Sequence, residues 1–460
     1  MAIVTPGVVP ASILVSHRQP AWLRQWARFA RQTRFEDLPQ SVIERSRLVM
    51  LDSLGAIIAG NAEPEMALAK RRLAKTAKAR KAGSPLLVAF AGGTAGTMLE
   101  IDEGNQYARG HPGIHVIPAI VAVAQGKVVS GSDAILSLAL GYEIGARIGI
   151  ASKLRVTMHP HGTWGVVGAA LAVAKLHRAS ASDIASVINL SSSLGLTTSR
   201  RTMLEGATVR NTYAGFSNML GLMAFDLVKA GFTGEADGIG SVYGGIAADD
   251  WRPEQMVHQL GQRWEIARNY FKRHAACRYN HGALDALAEI TAKAGGRLDP
   301  ASIESIAVET YVWAAQLDHP NPRNMLAAKF SMPFSIATAI VNGKADLDSF
   351  RDEARANPET MALAAKVTVN EDPALTAKLP GLRPARVKVR MKDGRRFEAM
   401  AQTNKGDTED PYSSADVVAK FHEVAAPTIG EARAEAIVKA CLSLETAPSL
   451  RAIVDLCEVP

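Results

Sequence analysis

The chain has 460 residues, 47% of them hydrophobic and 21% charged, an ordinary balance for a soluble globular protein with room for two or three domains. Its net charge of +7 and pI near 9.2 suit an enzyme for anionic substrates, whose local concentration a positive field raises. Cys277, Cys441 and Cys457 are odd in number and form no CxxC pair, which excludes a disulfide framework and a structural zinc site and points to a reducing, cytoplasmic setting.

The first twenty residues lack a basic start and a long apolar stretch, so no signal peptide is expected. No run of about 18 apolar residues is free of polar interruption, so no membrane partner is expected either. Residues 39–60 predict a helix. Pro39 opens it, Ile43, Leu48, Leu51, Leu54 and Ile58 recur at near-helical spacing, and Gly60 supplies the stop. Residues 70–81 carry Lys70, Arg71, Arg72, Lys75, Lys78, Arg80 and Lys81 without interleaved aromatics. That pattern reads as a solvated helix face, not a nucleic-acid surface. Ser132 is expected to cap a helix over 133–148, and both that helix and 166–176 read as inner members of a bundle.

Near residue 272 the pattern changes. Segments 305–312 and 366–369 are rich in β-formers. Residues 385–391 alternate Val387, Val389 and Met391 against Lys388 and Arg390; Asp393-Gly394 and 396–401 complete a hairpin. Helices are expected at 327–341 and 358–366. Beyond Tyr412 the pattern is helical again, with Ser413 or Ser414 as N-cap of 415–425. The expected fold is mainly α with α+β. A large all-helical domain, residues 1–271 and 407–460, is interrupted by a smaller α/β lid domain, residues 272–406.

Four segments concentrate polar residues beyond what packing needs. The first is Glu100, Asp102 and Glu103, followed by His111-Pro112-Gly113 ahead of an apolar helix. His111 reads either as a cap of that helix or as a histidine tuned by its N-terminus. The second holds His159 and His161 on a glycine-rich loop, a setting suited to proton transfer. Two residues apart, they share no helix face, and no third ligand stands at a metal-binding spacing. The third carries Arg200, Arg201 and Arg210. A guanidinium binds carboxylate bidentately, and surface pairing is the plainer reading for Arg200. The fourth, around the domain junction, holds Lys272, Cys277, Arg278 and His281. Lys272 suits an acid–base role or a carboxylate anchor, Arg278 and His281 extend a cationic cluster, and Cys277 reads as a small buried thiol.

These segments, with Leu51-Asp52-Ser53-Leu54-Gly55, Gly141-Tyr142-Glu143, Ala328-Lys329-Phe330-Ser331 and Lys405-Gly406-Asp407, resemble in their order the MmgE/PrpD family. That family includes 2-methylcitrate dehydratase and cis-aconitate decarboxylase. The similarity covers about residues 20–445. It implies a large helical domain with a smaller α/β lid, a homodimer, and no metal or organic cofactor. His111, His159 and Lys272 match the family's active-site histidines and lysine, and Asp102 with Glu100 matches its acidic cluster. Three positions depart: Arg210 stands where several members place lysine, Cys277 where the decarboxylase has histidine, and Phe334 where it has tyrosine.

The expected activity is a cofactor-independent hydro-lyase acting on a small anionic hydroxy-polycarboxylate. His111 and His159 would form an acid–base pair with Lys272 and Asp102. Arg210, Arg278, His281, His161 and Cys277 would line the substrate. An isomerase or epimerase of a related dicarboxylate needs the same α-proton chemistry. A decarboxylase and a non-catalytic binding protein fit the residues less well.

Overall fold

The computed structural model describes residues 18–76 and 84–459. The signal-peptide expectation for the first residues, and Lys78, Arg80 and Lys81 of the basic stretch, lie outside the described residues. The fold is mainly α with a smaller α/β part.

The helix Gln40–Asn61 forms where the apolar spacing predicts it, and nearly every residue from Leu48 to Gly60 is buried. Burial on all faces is possible because its neighbours are built from small residues. The helix Pro85–Met98 crosses it so closely that a Cβ on Gly60 would stand 2.0 Å from the Ala95 carbonyl oxygen. On its other side the helix Tyr213–Lys229 approaches so that a Cβ on Gly93 would stand 2.6 Å from the Ala214 carbonyl oxygen. The helix Pro85–Met98 is thus wedged between two others, and this fixes where its C-terminal end delivers the chain.

Two inner helices, Gly131–Ala151 and Gly165–Leu176, are buried almost throughout. The first is long and apolar enough to cross a membrane by length and composition, but 94% of its apolar window is buried inside the fold. It is capped by Ser130, not Ser132: the Ser130 hydroxyl accepts from the Asp133 amide, and the helix starts two residues earlier than expected. A two-stranded antiparallel sheet, Ser152–Leu154 with Ala248–Trp251, sits among the helices. Strands this short and polar leave no alternating signal.

The second sheet has four strands in the order Val367–Glu371, Ile303–Thr310, Ala385–Met391, Arg396–Ala401. The first pair is parallel and the others antiparallel. The hairpin turn falls at Asp393-Gly394, with Gly394 at φ 91°. The helix expected over 327–341 is two helices, Met325–Lys329 and Met332–Asn342. Ser331 breaks it: its hydroxyl caps the second helix at the Phe334 amide, and Pro333 occupies the first turn, where a missing N–H costs nothing. The helix Arg278–Lys293 contributes Ala283, Ala286, Leu287 and Ile290 to the core shared with this sheet.

The chain then returns to the helical core. Ser413 caps the helix Ser414–Ile429 in a capping box with Asp416. Val417, Phe421 and Ala425 pack in the same core as Leu48, Leu51 and Leu54.

Gly60→Ala is expected to lower unfolding stability by about 2 kcal/mol or more, because backbone rather than a movable side chain blocks its Cβ. Gly126→Ala, whose Cβ would enter open space, should stay within about 0.5 kcal/mol of the parent. Urea melts of both variants check this; equal midpoints would contradict the close crossing.

Candidate active site

At the end of Pro85–Met98 the chain turns sharply through Glu100, which has φ 56°, a left-handed conformation rare for a residue with a side chain. The turn sends Glu100, Asp102 and Glu103 into the interior, each at most 1% exposed. Buried carboxylates need counter-charges. Glu100 pairs with the Arg210 guanidinium and lies 3.3 Å from Lys272 Nζ. Burial alone would raise its pKa, but Arg210 and Lys272 hold it below the usual range. Burial is likewise outweighed at Asp102, where His111 and Lys272 keep the carboxyl well below its ordinary value. Glu103 has no ammonium or guanidinium partner within 4.0 Å among the described residues. Burial pushes it up to about 8, although Gly113 N, Tyr142 Oη and Asn269 Nδ2 all donate to it.

His111 does not cap a helix. The next helix begins at Ile117, and the ring turns instead toward the acidic turn. Its Nδ1 donates to the Glu103 carbonyl oxygen at 2.7 Å, with an Asp102 oxygen 2.9 Å away as counter-charge. That bond places a proton on Nδ1. Nε2 has no hydrogen-bond partner among the described residues, and the ring lines a cavity.

His159 faces the same cavity with the opposite tautomer. Its Nδ1 accepts the His161 amide at 3.1 Å, so the proton sits on Nε2. The loop is held by Thr198, whose hydroxyl donates to the His159 and His161 carbonyls and whose own carbonyl accepts the His159 amide. The rings of His111 and His161 lie 4.5 Å apart, and those of His159 and His161 5.0 Å. Burial, then Arg210, push both His159 and His161 well below the ordinary imidazole pKa. The expectation of His159 as half of an acid–base pair is therefore corrected. It is a neutral N–H donor that can polarise a bound oxygen.

At the junction, Lys272 is fully buried and does not line the cavity. Its Nζ donates to the Glu100 carbonyl at 2.9 Å, and it serves the acidic turn from behind. Arg278 reaches the cavity wall, but its Nη atoms bind Asp407 at 2.5 Å and the Lys405 carbonyl at 3.2 Å, tying the two crossings between helical and sheet parts together. His281 is bonded to Arg278 and to the Ala276 carbonyl and lies off the cavity. Cys277 lines the cavity, but burial raises its thiol to about 11, so it stays protonated.

Sequence reasoning missed Arg109, Arg383 and Tyr270, and took Arg200 for a surface residue. All four line the cavity. Arg200 and Arg383 are 9% and 3% exposed, and Arg109 is half-buried. Among the described residues, none of these three arginines has a carboxylate within 4.0 Å, and the wall carries an excess of guanidinium charge. The one sequence hint for Arg383 is its frame of Pro380, Gly381 and Pro384 just ahead of a strand. Among the described residues no three His, Cys, Asp or Glu side chains are arranged to hold a metal ion.

Two family models match the chain: the MmgE/PrpD N-terminal domain over residues 24–249 and the MmgE/PrpD C-terminal domain over residues 274–444. The chain belongs to the MmgE/PrpD family. A cis-aconitate decarboxylase of Aspergillus terreus is 23% identical over 462 residues, spanning 92% of this chain and 93% of its own length. The cis-aconitate decarboxylase-like protein oryM of Aspergillus oryzae is 24% identical over 458 residues, spanning 91% and 94%. A cis-aconitate decarboxylase of Mus musculus is 21% identical over 434 residues, spanning 89% and 87%. Within this MmgE/PrpD fold, Phe334 is fully buried against Phe350, with ring centroids 6.0 Å apart, and is absent from the cavity wall, where Phe330 stands instead. Its missing hydroxyl therefore says nothing directly about the cavity.

His115, behind His161, has its pKa pushed down to about 3 by burial. Its ordinary value is about 6.5. A depressed folded pKa contributes stability above pH 6.5 that is lost as pH falls toward 3, because only the unfolded chain takes the proton. Going from pH 7.5 to 5.0, the parent should lose about 2 kcal/mol more stability than His115→Gln. Denaturant melts at the two pH values measure this; a constant gap between the proteins would contradict it.

Proposed function

We propose that this MmgE/PrpD chain is a cofactor-independent hydro-lyase for a small hydroxy-polycarboxylate. The observation that carries the reading is His111, anchored through Nδ1 with Nε2 open to a cavity rimmed by guanidiniums lacking carboxylate partners. Carboxylates of the substrate would complete the charge of Arg109, Arg200 and Arg383. A proton α to a carboxylate is weakly acidic, and these cations would stabilise the charge that develops as it leaves. His111 Nε2 takes that proton, and Asp102 stabilises the imidazolium formed. The β-hydroxyl departs as water, taking the proton that the His111 imidazolium hands on, and a carbon–carbon double bond remains. The Nε2–H of His159 is placed to hydrogen-bond the departing oxygen. Lys272 supports Glu100 and Asp102 and does not touch the substrate.

The names of the curated relatives favour a second reading, decarboxylation, in which a carbon–carbon bond breaks and the resulting carbanion takes a proton. A base open to the cavity beside a separate N–H donor suits proton removal with loss of hydroxyl better. An epimerase would use the same base and needs a second proton donor, which a neutral His159 supplies poorly. The reading includes a cytoplasmic homodimer. The half-buried Phe90 and Phe216, with centroids 5.0 Å apart on neighbouring helices, offer an apolar face that a second copy would cover.

The test is a panel of citrate-, malate- and tartrate-type acids in heavy water, followed by proton NMR. An unsaturated acid with loss of water supports the proposal. Loss of carbon dioxide, or solvent label in a product of unchanged composition, replaces it with decarboxylation or epimerisation. On the substrate found, His111→Gln should cut kcat by ~10²–10⁴ with little change in KM. Arg383→Gln should raise KM about tenfold or more, through loss of a charge-assisted contact. A His111→Gln enzyme within threefold of the parent kcat would remove His111 from the chemistry.

A further inference from the structure

Three buried lysine amino groups converge on three consecutive peptide carbonyls. Lys329 Nζ donates to the Leu99 carbonyl at 2.8 Å, Lys272 Nζ to that of Glu100 at 2.9 Å, and Lys420 Nζ to that of Ile101 at 2.6 Å. The lysines come from three distant places: the end of the helix Met325–Lys329, the junction before Arg278–Lys293, and the helix Ser414–Ile429. Their exposures are 0%, 0% and 6%. Lysine is rarely buried this fully without a paired charge. Yet Lys329 has no carboxylate within 4.0 Å among the described residues, and its second acceptor is another carbonyl, that of Ala275. The middle carbonyl belongs to Glu100, the residue held at φ 56°. A strained conformation of this kind persists only where its surroundings over-determine it.

From this clamp a chain of contacts reaches His111. Lys420 Nζ lies 2.5 Å from Asp52 Oδ1. Asp52 Oδ2 accepts the Glu103 amide at 2.9 Å, and the Glu103 carbonyl accepts His111 Nδ1–H at 2.7 Å. Neither Lys329 nor Lys420 lines the cavity.

We propose that Lys329 and Lys420 are positioning residues: with Lys272 they clamp the backbone of residues 99–101 and so aim Asp102 and the Glu103 carbonyl at His111. The proposal rests on the reading of His111 as the base. It gives the last helices of the chain a part in the site, because Lys420 carries the only contact in this clamp from beyond residue 407.

The test separates clamping from charge balance. Lys420→Met alone leaves Asp52 buried and unpaired and should fold poorly. The double variant Asp52→Asn/Lys420→Met removes both charges but leaves the Ile101 carbonyl without its donor. It should regain most of the parent's urea midpoint, while kcat stays at least tenfold down and KM remains within threefold. Amides of residues 99–103 should exchange with heavy water at least tenfold faster. A double variant that recovers stability and kcat together, to within twofold of the parent, overturns the proposal. If the double variant does not refold, Lys329→Met carries the same comparison, since it strands no carboxylate. If the parent acts on none of the acids in the panel, the reading of His111 fails, and the exchange measurement alone decides the clamp: unchanged protection overturns it, and faster exchange upholds it.

Discussion

The structure depends on keeping two carboxylates ionised where water cannot reach them. Glu100 and Asp102 are almost fully buried, and a lone buried carboxylate takes up a proton instead of staying charged. Here they are held in their charged form by groups drawn from far along the sequence: the cations Arg210 and Lys272, with the His111 ring beside Asp102. Removing one cation from such a group leaves an uncompensated charge, typically at a cost of about 3–5 kcal/mol. For that reason Lys272→Ala is a stability lesion as much as a catalytic one.

The same constraint explains the arrangement of the two parts of the molecule. The acidic turn leaves a helix wedged in the helical core, while its partners arrive from the junction, from the helix next to the sheet, and from the returning C-terminal helices. Arg278 adds a second tie, bonding the two chain crossings through Asp407 and the Lys405 carbonyl. Folding of the distant segments is thereby coupled to the ionisation of the site. On the open side the balance is reversed: Arg109, Arg200 and Arg383 face the cavity with excess positive charge. A wall that is neutralised behind and cationic in front is what an anionic substrate requires.

A further charged cluster shows that buried ions also serve architecture alone. Arg147 bonds Glu143 at 2.6 Å and the carbonyls of Gln255, His258 and Arg263, while Glu143 accepts the Glu265 amide. Glu143 belongs to the Gly141-Tyr142-Glu143 stretch, which also signals the family. In this fold it fastens the loop around residues 255–265 to an inner helix and stands apart from the cavity.

By itself the sequence determined what local physics governs. Apolar spacing marked Gln40–Asn61, alternation and Asp393-Gly394 marked the hairpin, and the pair Ser413 and Ser414 marked the start of the helix Ser414–Ile429. Ordered motifs placed the chain in its family and brought His111, His159, Asp102 and Arg210 into view. Tertiary structure alone decided the rest. Arg109, Arg200 and Arg383 became cavity groups only when loops more than 70 residues apart met. Lys272 and His281 lie off the cavity, and Arg278 reaches its wall with its Nη atoms already committed, because carbonyls and carboxylates claimed their donors. The tautomers of His111 and His159 were set by one backbone carbonyl and one backbone amide. Spacing along a chain reports which face of its own element a side chain shares. Which nitrogen carries a proton, and which cation meets which carboxylate, depends on groups that only folding brings together.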